Sequence, residues 1–160
     1  MKQETDTTAR DAPFNLSRFA NAQGGVYDRV LAELRSGQKR THWMWYVFPQ
    51  IDGLGNSTTT KLYAIKSIEE ARQYLKHPLL GTRLRECTQA VLAIEGRSAS
   101  EIFGDPDDMK LKSSMTLFAS VVDPGSEFVR VLDKYFNGER DGRTLHQLEK
   151  FTERKGDEKV

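Results

Sequence analysis

The sequence predicts an all-α fold, a single compact multi-helix domain of about eight short helices. Three observations lead there. Apolar residues recur at three- and four-residue spacing along most of the 160 residues. Serine, aspartate, proline and glycine stand where helices of that length start and stop. The one apolar stretch that could form a strand, residues 43–48, has no second β-rich run to pair with.

Residues 1–12 are polar and aperiodic and read as a disordered leader, with the domain proper at 13–152. Phe14, Leu16, Phe19 and Ala22 mark a first helix; Val26, Tyr27, Val30, Leu31 and Leu34 mark a second, closed near Gly37. Gln38, Lys39 and Arg40 read as a basic exposed turn. Residues 43–48 suit a short buried helix that stops before Pro49, because the residue ahead of a proline is pushed out of helical geometry. Residues 52–57 are loop, and a short helix is expected over 60–65.

Ser67 and Glu70 have the spacing of a capping box, in which each side chain takes the other residue's free amide; Ser98 and Glu101 repeat it. Pro78 suits a helix start, and Leu80, Leu84, Cys87, Val91 and Ile94 give a long amphipathic helix. Asp105 is expected to cap the next helix, with Pro106 in its first position and Met109 to Val121 supplying apolar members. Ser126 opens another helix that ends before Gly138. Leu145, Leu148 and Phe151 mark a last docked helix, and 153–160 reads as a frayed charged tail.

The bulk composition excludes several classes of function. Lys+Arg 24 against Asp+Glu 23 leaves a formal charge of +1, too little to recruit nucleic acid through a basic field. Lone Cys87 allows no internal disulfide and suits a reducing compartment. No apolar run approaches the roughly 18 residues of a membrane span. The expectation is a soluble cytoplasmic domain with no nucleic-acid or membrane partner.

Candidate chemistry concentrates in one stretch, residues 41–57, which holds both tryptophans. His42 could be an acid or base if burial tunes it, or simply a hydrogen-bonding group. Trp43 and Phe48 read as core. Trp45 and Tyr46 are the candidates for stacking a ligand, and Gln50 for reading its edge. Gly53, Gly55 and Ser57 could bring backbone or hydroxyl donors to an anion, or could form a tight turn and helix cap. Lys110 and Ser114, four residues apart, share a helix face and offer a cation and a hydroxyl. The histidines at 42, 77 and 146 have no metal-ligand spacing, so no metal or cofactor is expected.

The string His42-Trp43-Met44-Trp45-Tyr46-Val47-Phe48-Pro49-Gln50, then Gly53-Leu54-Gly55, and Asp107 to Phe118 with its Ser113-Ser114-Met115-Thr116-Leu117-Phe118, resemble an uncharacterised bacterial family. That family is number 1810 among the domains of unknown function, and genomes often label it "calpastatin". The resemblance covers roughly residues 14–148 and implies one compact all-α domain, with no catalytic assignment to carry over. A protease inhibitor of that name resembles a disordered, low-aromatic chain, whereas two tryptophans, eight phenylalanines and capped helices form a folding composition.

The leading expectation is therefore a small-molecule pocket for a nucleotide-like or other anionic metabolite, enzymatic if His42 acts in it. Its walls would be residues 42–57 and the helix over 107–118. The alternative is a protein-interaction or adaptor module without catalysis, including a homodimer, built on an exposed helical face.

Overall fold

The computed structural model describes residues 14–159, with side chains through Phe151. The leader expected at 1–12 lies outside the described residues. Among these there are ten helices and no strand, with one isolated parallel bridge between Ile51 and Ile65. The count exceeds the expected eight, and three of the ten are segments of four or five residues that close about one helical turn: α3 (Met44–Val47), α4 (Thr58–Leu62) and α7 (Ala99–Phe103).

Two longer helices organise the packing. α8 (Asp107–Ala119) is buried on every side from Leu111 to Ala119, and α7, α9 (Glu127–Phe136) and α10 (Gly142–Lys159) lie against it. α6 (Leu80–Ala93) packs on α2 (Tyr27–Ser36), α5 (Ile68–Lys76), α9 and the short α3. A line of rings ties the two groups together. Phe19 of α1 (Ser17–Gln23) meets Tyr74 edge-on at 5.1 Å, Tyr74 meets Phe118 at 5.6 Å, and Phe118 meets Phe128 at 5.7 Å. All four side chains are fully buried, and large aromatics supply most burial energy per residue in such a core.

Local chemistry explains most helix ends. α2 stops because Gly37 takes φ +80°, a left-handed angle that costs glycine little, and its amide donates back to Leu34. α7 begins with the full reciprocal box between Ser98 and Glu101. Ser67 likewise accepts from the Glu70 amide at 3.0 Å, but Glu70 does not reciprocate. Its carboxylate takes the Lys66 amide at 2.8 Å and the Arg18 guanidinium at 2.7 Å instead. A long-range ion pair outcompetes the local box, and Arg18 also donates to the carbonyls of Leu62 and Ala64, fastening α1 to the α4–α5 connection.

Four further helices differ at their ends from the sequence reading. α6 starts two residues after Pro78, and the His77 imidazole does the capping: Nδ1 accepts from the amides of Leu79 and Leu80, both at 3.2 Å. Asp105 makes no cap on α8, whose Ncap position is Pro106. The helix expected over 60–65 is α4 at Thr58–Leu62, capped by Ser57. Beyond it the chain straightens so that Ile65 donates to Gln50 and Asp52 donates to Ile65, both at 2.8 Å. α10 runs on through the stretch read as a frayed tail.

Candidate functional site

The aromatic stretch is anchored from below by one carboxylate. Glu33, on the buried face of α2, is 7% exposed. It accepts from the amides of Arg40 and Thr41 at 2.8 and 3.1 Å, the Thr41 hydroxyl at 2.6 Å and the Trp43 indole at 2.9 Å. Burial pushes its pKa upward, but these four donors outweigh it and hold the carboxyl at about 2. The ionised group therefore fixes where the chain turns into α3 and seats Trp43 in the core.

A layer of alternating rings and charges stands on this base. Lys39, expected in an exposed turn, has only 5% of its side chain exposed. Its ammonium lies 4.9 Å from the Trp43 ring centre and 2.8 Å from the Asp107 carboxylate. The other oxygen of Asp107 meets Lys110 at 3.4 Å, and Lys110 in turn sits 4.6 Å from the Trp45 ring centre. Each cation is thus held between a carboxylate and an indole face, contacts worth about 0.5–2 kcal/mol each depending on burial. Asp107 joins the first turn of α8 to both tryptophans.

Beside this layer opens a cleft of about 370 Å³. Gln50, Leu54, Gly55 and Thr60 form one wall, from the loop that leaves α3 and the turn of α4. Pro106, Met109, Lys110 and Ser113 form the second, from the Ncap residue and first two turns of α8. Asp141 and Arg143, at the start of α10, complete it. Arg143 donates to the Leu54 carbonyl at 2.6 Å, linking the first and third walls. Asp141 caps α10 by accepting from the amide and hydroxyl of Thr144 at 2.9 and 2.6 Å.

The candidates named from sequence divide into three groups. Gln50, Gly55 and Lys110 line the cleft together. Trp45 sits at its border, lining a recess of about 10 Å³ with Gln50 and Thr60. Gly53 stands beside the site: its φ of +100° is a left-handed angle that favours glycine, and a β-carbon there would lie 2.8 Å from the end of the Gln147 side chain of α10. The remainder stand elsewhere. His42 is exposed and lines neither space. Tyr46 packs its ring on Tyr63 at 5.5 Å, and its carbonyl accepts from Gln23. Ser57 is spent on capping α4. Ser114 is fully buried, with a hydroxyl that has no partner among the described residues; its neighbour Ser113 reaches the cleft instead.

Sequence reasoning missed Lys39, Asp107, Thr60, Asp141 and Arg143. Asp141 carried a usable signal, since Asp-x-x-Thr before an apolar periodic run is a helix start. The other four carried none, because their roles depend on segments distant in the chain.

Comparison with known proteins adds relatives. The crystal structure of a conserved hypothetical protein from Mycobacterium tuberculosis superposes with a TM-score of 0.84 at 56% identity, covering 85% of this chain and 97% of that one. None of the curated proteins matches. A family model described as protein of unknown function (DUF1810) matches residues 13–148, a span that contains the aromatic stretch, α8 and all three walls of the cleft. On that match the chain belongs to the DUF1810 family, as the motifs in residues 42–55 and 113–118 led us to expect.

Proposed function

We propose that the cleft binds a small anionic metabolite, a class that includes nucleotide-like molecules. The observation that carries this reading is the convergence of Lys110, Arg143, Gln50 and Ser113 on one cavity of about 370 Å³. That size falls within the range of ligand sites, and a few convergent polar groups among apolar ones are their usual lining. Two cations from different helices favour an anion, while Asp107 stands behind Lys110 and keeps it aimed. The reading is one of binding: His42, the candidate acid or base, does not border the cleft.

The adaptor alternative has less behind it. The exposed large apolar residues Leu62, Leu79, Met109 and Leu145 are scattered over separate segments and form no shared helix face.

A thermal-shift screen against phosphorylated and carboxylated metabolites tests the proposal. A ligand at 100 times its Kd stabilises by about 2.7 kcal/mol, a rise of roughly 5–10 °C at this chain length. Hits are expected to vanish in Lys110→Ala and Arg143→Ala and to survive in His42→Ala. Hits that persist in both cation variants would place binding elsewhere.

A further inference from the structure

We propose that the ligand is a phosphorylated sugar or polyol, and not a molecule recognised through an aromatic base; this rests on the cleft being the binding site. The first support is what the lining lacks. No aromatic ring lines the cleft among the described residues. Of the rings that line the adjoining recess, Trp45 has the Lys110 ammonium over its face and Tyr63 is packed against Phe19 and Tyr46. A nucleobase entering here would find no open ring on which to stack, and stacking is the contact that holds bases without regard to sequence.

The second support is the chemistry that is present. Sugar hydroxyls donate and accept at once, so they need mixed partners. Asp141 uses Oδ2 for both Thr144 donors, leaving Oδ1 open to accept a hydroxyl. The Gln50 side-chain amide has no partner among the described residues and can both donate and accept. Thr60 and Ser113 add hydroxyls, Ser113 donating its own proton to the Met109 carbonyl at 3.1 Å and so presenting lone pairs. Lys110 and Arg143 supply the charge for a phosphate.

The deciding experiment is calorimetric titration of the full chain with two sets of probes. One set is ribose 5-phosphate, glucose 6-phosphate and glycerol 3-phosphate; the other is inorganic phosphate, ribose and adenosine 5′-monophosphate. At least one sugar or polyol phosphate should bind about tenfold tighter than inorganic phosphate and than ribose, with adenosine monophosphate no tighter. Asp141→Asn keeps the oxygen that caps α10 but replaces the free acceptor with a donor. It should weaken the sugar phosphate about tenfold, the effect of one charged hydrogen bond, without weakening inorganic phosphate. Adenosine monophosphate binding tenfold tighter than every sugar phosphate, or inorganic phosphate binding as tightly as they do, overturns the sugar assignment while the anion site stands. A sugar phosphate that binds Asp141→Asn as it binds the parent removes Asp141 from the site. Silence from every phosphorylated probe overturns both this inference and the anion-binding reading beneath it.

Discussion

Replacing Glu33 with glutamine should destabilise the fold in a way that depends on pH. The folded carboxyl sits at about 2 against an ordinary 4.5. At roughly 1.4 kcal/mol per unit, that difference is worth about 3 kcal/mol to the folded state at neutral pH. The group is 7% exposed, so solvent screens little of it. Because the folded pKa is the lower one, the contribution is complete above about pH 5 and is lost as pH falls through about 2. Glutamine is nearly isosteric and can keep neutral versions of the bonds to Arg40, Thr41 and Trp43, much as the protonated acid would. Urea titrations at a series of pH values should therefore show Glu33→Gln costing about 3 kcal/mol at pH 7, or roughly 6–12 °C in Tm. The gap between parent and variant should shrink by about 2 kcal/mol on going to pH 3. An equal gap at pH 3 and pH 7 would refute the idea that an ionised Glu33 holds the aromatic segment.

Other perturbations have equally definite expectations. In Gly81→Ala the new β-carbon would lie 2.1 Å from the Leu75 carbonyl oxygen, a backbone atom that cannot swing away. The α5–α6 corner must open, and a melt should show a loss of about 3 kcal/mol or more, beyond the usual overpacking cost. Arg18→Ala strands Glu70, whose side chain is 3% exposed, and should cost about 3–5 kcal/mol by chemical denaturation. A double variant Arg18→Ala with Glu70→Ala should recover part of that loss, since no charge is then left buried. Cys87 is fully buried and burial lifts its thiol to about 12, so an aromatic disulfide reagent at pH 8 should label it only at the rate of global opening. Rapid labelling of the native protein would contradict that burial.

Much of the fold was legible because its signals are local. Gly37 closing α2, Ser98 with Glu101 opening α7 and Ser126 opening α9 each depend on residues within one turn. The misreadings share a different cause. Glu70 matched its box and then spent its carboxylate on Arg18 and the Lys66 amide. Lys39 lay in a polar tripeptide, yet its charge is buried against Asp107, far along the chain. Nothing within a few residues of either could reveal the partner. Glu33 did carry a warning: it interrupts the apolar stripe of Val30, Leu31 and Leu34, and a carboxylate on a buried face implies a set of donors waiting for it. The site was half legible for the same reason. Gln50, Gly55 and Lys110 stood out by type and lie together, whereas His42 and Ser114 stood out by type and do not line the cleft.

The polar residues of α8 explain how a helix buried from Leu111 to Ala119 can also carry a site. Its Thr116 hydroxyl faces another element and not water. Thr116 donates to the Lys112 carbonyl at 2.8 Å and accepts from the Asp141 amide at 2.9 Å, so the start of α10 is fastened directly to the core helix. Lys112 reaches Glu139 just upstream, adding a second tie. The same helix therefore provides one wall of the cleft through Met109, Lys110 and Ser113 and sets the position of another through Thr116. Lys110 is already confined between Asp107 and Trp45, and Arg143 is already bonded to Leu54. A ligand meeting these groups would have little side-chain freedom left to freeze, a cost otherwise of about 0.5–1.5 kcal/mol for each long side chain. Among the described residues the Gln50 side-chain amide has no partner, and it is where a ligand would have most ordering left to do.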